Sequence, residues 1–291
     1  MKKLCSILLA ICMMAGLGVL AAVPAGAAEN PYAPPADLGA LSQAEQLEYF
    51  NLVVNRVRTE KPGFQQRERE RIEDMRLSGV AGLVNDLVNS IKNQLMPGDW
   101  LERSVDAGQS NVGLFMSENE NASDLRPEDI SSIRIAKQGD NWVIEVGVKE
   151  ETNPAKGLNS AHGRISPIAT REEVIAEMTG VTDLITAAPN DATLRYYNGF
   201  VRVTVNEQGQ VIVAANGFQV YAQVNNISIS VITTNVAVTQ STERQYAHFD
   251  WAPQEDFSSA NVFPPAQWWE ALPSSLQWLL RYVFFGWLWM G

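Results

Sequence analysis

A chain of 291 residues, 46% hydrophobic and 19% charged, has a globular composition with room for one or two domains, and it excludes a wholly disordered protein. Acidic residues outnumber basic ones 33 to 22, which argues against the broad basic face that a nucleic-acid binder needs. Two cysteines and two histidines are too few for a disulfide scaffold or a Cys/His zinc cluster, so neither a metal nor a cofactor is expected.

Lys2 and Lys3 precede an apolar run from Leu4 to Val23, and the small residues Ala25 and Ala27 frame a cleavage site. The pattern predicts an export signal over residues 1–27, removed after Ala27. The run approaches the length of an uncleaved membrane helix. Pro24, the small residues behind it and the lack of a basic stop-transfer cluster favour cleavage. Cys12 lies mid-run after Ile11, so lipidation is not expected. Both cysteines, Cys5 and Cys12, leave with the leader, and the mature chain carries 20 basic against 33 acidic residues. Residues 28–40, with Pro31, Pro34 and Pro35, read as a spacer.

Residues 41–253 read as one α+β domain, a curved antiparallel meander with two or three helices on one face. Ser42 and Glu45 have capping-box spacing, and Leu47, Phe50, Val54 and Val57 continue as a helix that ends near Lys61-Pro62-Gly63. Phe64 to Leu77 has helix-favouring composition, but Arg67, Arg69 and Arg71 alternate with Glu68 and Glu70, which separates like charges onto the two faces of a strand. The Pro-Gly break before it favours the strand. Val80, Leu83, Val84, Leu87, Val88, Ile91 and Leu95 then predict a core-facing helix stopped by Pro97-Gly98.

From Ile130 the period becomes two. Ile133 and Ile135, a turn at Gly139-Asp140, and Trp142, Ile144, Val146 and Val148 predict a hairpin. Thr170 and Glu173 open a second short helix through Met178. Beyond Leu194 the chain reads as strands: a tight turn at Asn198-Gly199, a face of Val201, Val203 and Val205, a turn at Gly209, then alternation from Val211 to Val231, a strand at Val236 and Val238, and a last one from Tyr246 to Trp251.

EKPGF at Glu60 to Phe64, DLRPEDISSIRIAKQGDNWVIEVGVKEETNPAKG at Asp124 to Gly157 and AHGR at Ala161 to Arg164 together resemble a family of uncharacterised exported proteins of Gram-positive bacteria. The resemblance covers roughly the middle two-thirds of the chain. It implies a signal peptide, a helix-plus-sheet ectodomain and often a hydrophobic C-terminal tail, and it carries over no catalytic residue.

Chemistry-bearing motifs are sparse. His162 falls in a polar loop, where an exposed imidazole titrates near neutrality but a solvated loop side chain is the simpler expectation. His248 alternates with Tyr246 and Asp250 on one strand face and reads as surface pairing. Ser117 to Asp124 concentrates oxygen ligands but lacks the glycine and terminal glutamate of a calcium-binding EF-hand loop. There is no nucleophile elbow, zinc-protease motif, P-loop or dinucleotide fingerprint.

Residues 254–291 read as a linker and a membrane-associating helix. Five of the eight tryptophans are Trp268, Trp269, Trp278, Trp287 and Trp289, and indole rings concentrate where chains meet lipid headgroups. Leu276 to Met290 as a helix is about 22 Å long, short of the roughly 30 Å hydrocarbon core, so it suits an oblique interfacial helix better than a span. Trp278, Arg281, Tyr282, Phe284, Phe285, Trp287, Leu288 and Trp289 are the expected membrane-associating residues, with Arg281 at headgroup level. Packing of the tail onto the domain competes, but its second half lacks a polar face. LPSSL at Leu272 to Leu276 lacks the Thr-Gly of a sortase signal. The leading expectation is a non-enzymatic exported protein held at the outer membrane face, with no nucleic-acid partner. A hydrolase with dispersed residues and a membrane-perturbing tail are the alternatives.

Overall fold

A computed structural model describes residues 30–78, 98–180, 185–229 and 232–251. The expected leader, the helix from Val80 to Leu95 and the tryptophan-rich tail lie outside the described residues.

Helix α1, Gln43–Glu60, begins with the expected reciprocal cap. The Ser42 amide donates to Glu45 Oε2 at 2.9 Å, and the Glu45 amide donates to Ser42 Oγ at 3.4 Å. It ends at Lys61, whose left-handed backbone still donates its amide to the Val57 carbonyl. Helix α2, Arg171–Gly180, is opened in the same way by Thr170 and Glu173.

The strands are β1 (Gly63–Leu77), β2 (Leu101–Val105), β3 (Ile130–Gln138), β4 (Asn141–Val148), β5 (Glu151–Thr152), β6 (Ile185–Thr186), β7 (Ala192–Val205), β8 (Val211–Ile229) and β9 (Ile232–Asp250). All belong to one antiparallel sheet ordered β2-β1-β9-β8-β7-β4-β3, with β5 on β7 and β6 on β8. Strands β7 to β9 form a meander. Beyond it the order is non-local: β1 pairs with β9, joining Gly63–Leu77 to Val236–Asp250.

Two readings of the turns part company. Gly209 turns β7 into β8 as expected, at φ +70°, inside a loop held by the Asn206 side chain. Asn198-Gly199 makes no hairpin. It is a bulge within the continuous strand β7, with Asn198 at φ +53°, because Val201, Val203 and Val205 continue along the same partner β8. Strand β2 had no sequence signal, because Leu101 and Val105 enclose three polar residues in a row and show no apolar-polar alternation.

One sheet face carries the core. Leu47, Phe50, Val53, Val54 and Val57 of α1 pack with Ile144, Val146, Val201, Val203 and Val205. Val174 of α2 packs with Leu194, Tyr196, Phe218 and Val220 on the same face. A polar spine ties the loops to this sheet. The buried Tyr246 hydroxyl accepts from the Met116 amide and donates to Asn216 Oδ1, both at 3.1 Å, while Asn216 Nδ2 donates to the Ile165 carbonyl at 3.0 Å. Burial pushes the Tyr246 phenol up to about 12, so it remains a donor throughout the physiological range. Tyr246→Phe leaves a buried amide and a buried amide oxygen short of a partner and is expected to cost about 1–3 kcal/mol in denaturant unfolding. Tyr221→Phe, which loses only a 3.2 Å contact to Gln223 on the half-buried opposite face, should leave the midpoint unchanged.

Candidate functional site

The alternation of β1 sends Glu68 and Glu70 toward the core face and Arg67, Arg69 and Arg71 to the other. Glu68 meets Arg244 of β9, whose Nε donates to it at 2.7 Å and whose Nη1 donates to Ser166 Oγ at 2.8 Å. The two side chains are only 14% and 11% exposed. Burial alone would weaken the Arg244 charge, but the Glu68 carboxylate outweighs it and keeps the guanidinium protonated. Glu70, half-buried one inward position further along β1, has no such ion pair among the described residues. Burial, then the charge of Glu68, push its carboxyl up to about 8 against the opposing pull of Arg244. It is therefore largely protonated at neutral pH.

His162 is not the solvated side chain that its loop suggested. It is fully buried, its Nδ1 lies 2.8 Å from Glu151 Oε2, and the amides of Ala161 and His162 donate to the same carboxylate. Burial raises the Glu151 pKa, but these hydrogen bonds outweigh it and hold the carboxyl below its usual range. Nε2 has no hydrogen-bond partner among the described residues and faces Gly199, where a Cβ would lie 2.6 Å away. Tyr196 and Phe218 flank the ring at 5.5 and 6.1 Å. This histidine fastens the loop to β5 and β7. His248 does not share a face with Tyr246: a bulge opposite Phe64, with His248 at φ +56°, turns it outward while Tyr246 stays buried.

The loop from Ser117 to Asp124 spends its oxygens internally. Ser117 Oγ donates to the Asn121 carbonyl at 2.6 Å, and Asn121 Nδ2 donates to Asp124 Oδ1 at 2.8 Å. Ser123 Oγ reaches Asn51 of α1. No group of three or more metal-ligating side chains occurs among the described residues.

The accessible site is on the sheet face away from the helices. A trough of about 680 Å³ crosses β2, β1, β9, β8 and β7 at one level. Ala215, Ala247 and Val213, the last 48% exposed, supply an apolar floor. Gln65 and Arg67 of β1, Ser104 of β2, Gln245 of β9, and Arg202 and Thr204 of β7 supply polar walls. Arg67 donates to Gln245 Oε1 through Nε at 2.8 Å and Nη2 at 2.5 Å, and its guanidinium stacks 4.6 Å from the Trp100 ring centroid, with Arg69 at 4.5 Å from the same ring. Arg202 is paired with Glu145 of β4. Such a surface offers fixed hydrogen-bond donors beside small apolar patches, which suits recognition more than bond-breaking.

The outward arginine row was visible in the β1 alternation. The trough was not, because β1 and β2 join the β7–β9 meander only through the long-range pairing of β1 with β9. Trp278, Arg281, Tyr282, Phe284, Phe285, Trp287, Leu288 and Trp289 lie outside the described residues.

Glu70 makes stability fall as pH rises. Its folded pKa exceeds its unfolded value, so the proton favours the fold at low pH and that contribution is lost between the ordinary carboxylate range and about 8. Glu70→Gln should raise the thermal midpoint by a few degrees at pH 8.5 and leave it unchanged near pH 4.5. No family model, curated protein or solved structure matches the chain.

Proposed function

We propose that this is an exported protein held at the outer face of the cell membrane, whose ectodomain works by binding through the trough rather than by catalysis. The observation that carries the binding role is the trough itself, with its small floor and polar walls on a face that neither α1 nor α2 covers among the described residues. The leader over residues 1–27 supports export. The concentration of tryptophan and phenylalanine after Pro273 supports attachment.

In this reading the sheet is curved, and Leu276 to Met290 add a helix lying obliquely in the interface with Arg281 among the headgroups. Among the described residues no helix is long and apolar enough to cross a membrane. The ectodomain is acidic and cysteine-free after cleavage, so no disulfide contributes to holding it.

Two measurements test the reading. Cells expressing the full chain should retain it in the membrane fraction, whereas a chain ending at Leu272 should appear in the culture supernatant; both chains in the supernatant contradicts anchoring. Full-length protein in mild detergent should sediment with delipidated, protein-stripped cell-envelope material, and Ala215→Trp, which fills the trough floor, should remain soluble with an unchanged unfolding midpoint. Equal sedimentation of the variant contradicts the assignment of the face.

A further inference from the structure

Strand β3 is the outermost strand on its side of the described sheet. Its register with β4 closes with Gln138 opposite Asn141, across the Gly139-Asp140 turn. A two-residue turn makes its flanking residues a hydrogen-bonded pair, and such pairs recur at every second residue. Gln138, Ala136 and Arg134 therefore spend their peptide groups on β4, whereas Lys137, Ile135 and Ile133 turn theirs to the far edge. Among the described residues no backbone hydrogen bond from another segment meets those groups. A row of unpaired amides and carbonyls is a template for another strand.

Charged side chains often guard such an edge by standing in the path of an approaching strand. Here both charges lean back toward β4. Arg134, whose side chain is 78% exposed, reaches to 3.9 Å from Glu145, and Lys137 Nζ lies 5.7 Å from the centroid of the Trp142 ring. Ile133 and Ile135 pack against the core, so the peptide edge beside them is left clear. The charge of β3 also departs from that of the chain. The protein carries a formal net charge of −11, yet β3 holds the basic Arg134 and Lys137 and no acidic residue. Two acidic bodies repel least where each offers the other a basic edge.

We infer that this edge is an interface with a second copy of the chain, in which β3 pairs antiparallel with the partner's β3 about a two-fold axis at Ile135. That register joins every outward peptide group, Ile135 to its own counterpart and Ile133 to Lys137 of the partner subunit. It sets no like charges opposite each other. Arg134 meets Ala136 of the partner subunit, Ser132 meets Gln138 of the partner subunit, and Lys137 meets the partner's Ile133. Each pair on the outer face puts a long side chain beside a short one. The axis stands perpendicular to the sheet, so the outer faces of both copies turn the same way and both troughs open on one continuous surface. The pairing does not depend on what the trough binds.

The test follows the full-length chain in mild detergent by sedimentation equilibrium, from about 1 to about 100 µM, and by amide hydrogen exchange. The protein should dimerise across that range. The amides of Ile133, Ile135 and Lys137 should exchange slowly in the dimer and rapidly once it is diluted to monomer. Ala136→Arg sets an arginine opposite Arg134 of the partner subunit and should weaken association about three- to tenfold, whereas Ala136→Glu should strengthen it by a similar factor. Lys137→Pro removes an outward N–H and no ladder bond, so association should weaken at least about tenfold while the unfolding midpoint of the monomer stays unchanged. A monomer at every concentration overturns the inference. Slow exchange of those amides in a monomer also overturns it, because another segment of the same chain then covers the edge. A dimer indifferent to both Ala136→Arg and Ala136→Glu joins elsewhere and contradicts the β3 interface.

Discussion

The alternation of β1 is the constraint on which both faces depend. A strand has a period of two, so a row of arginines at 67, 69 and 71 on one face sends Glu68 and Glu70 toward the core. A slip of one residue would bury three arginines and expose the glutamates. The register against β9 prevents this by setting Glu68 opposite Arg244 and placing Tyr246 two residues along on the same face. Charges taken from water are tolerated only when paired, and Glu68 is paired; Glu70 is accommodated by keeping its proton. A bulge between Ile72 and Asp74 then resets the phase so that Met75 is again buried.

That inward polar seam lies among apolar clusters and joins the parts of the fold. Tyr246 and Asn216 link β9 and β8 to the loops at Met116 and Ile165. Arg58 of α1 reaches the same loop from the helix side, donating to Asn111 Oδ1 and to the carbonyls of Phe115 and Ser117. Burial lowers its guanidinium pKa to about 10, and carbonyl dipoles rather than a carboxylate partner hold it. The inner face is committed to helices, loops and these hydrogen bonds, and among the described residues the outer face carries no helix.

What the sequence made legible was local. Capping boxes at Ser42 and Thr170, the Gly209 turn, the β3–β4 hairpin and the charge alternation of β1 each depend on residues within a few positions of one another. The failures were non-local. Asn198-Gly199 has turn chemistry, but pairing along β8 continues past it and makes a bulge. His162 has the polar neighbours of a surface loop, yet Glu151, eleven residues earlier, draws it under β7. The trough needs β1 beside β9, a pairing between residues more than 150 positions apart.

The most direct test of an exported protein with an open outer face uses the absence of cysteine beyond Cys12. Single cysteines placed at Val213, which is 48% exposed on the trough floor, and at Ala214, which is 1% exposed and faces the core, differ by one position along β8. Treated on intact cells with a membrane-impermeant maleimide, Val213→Cys should be labelled and Ala214→Cys should resist until the protein is unfolded. Protection of Val213→Cys until lysis would contradict export, and equal labelling of the two positions would contradict the division of the sheet into a closed and an open face.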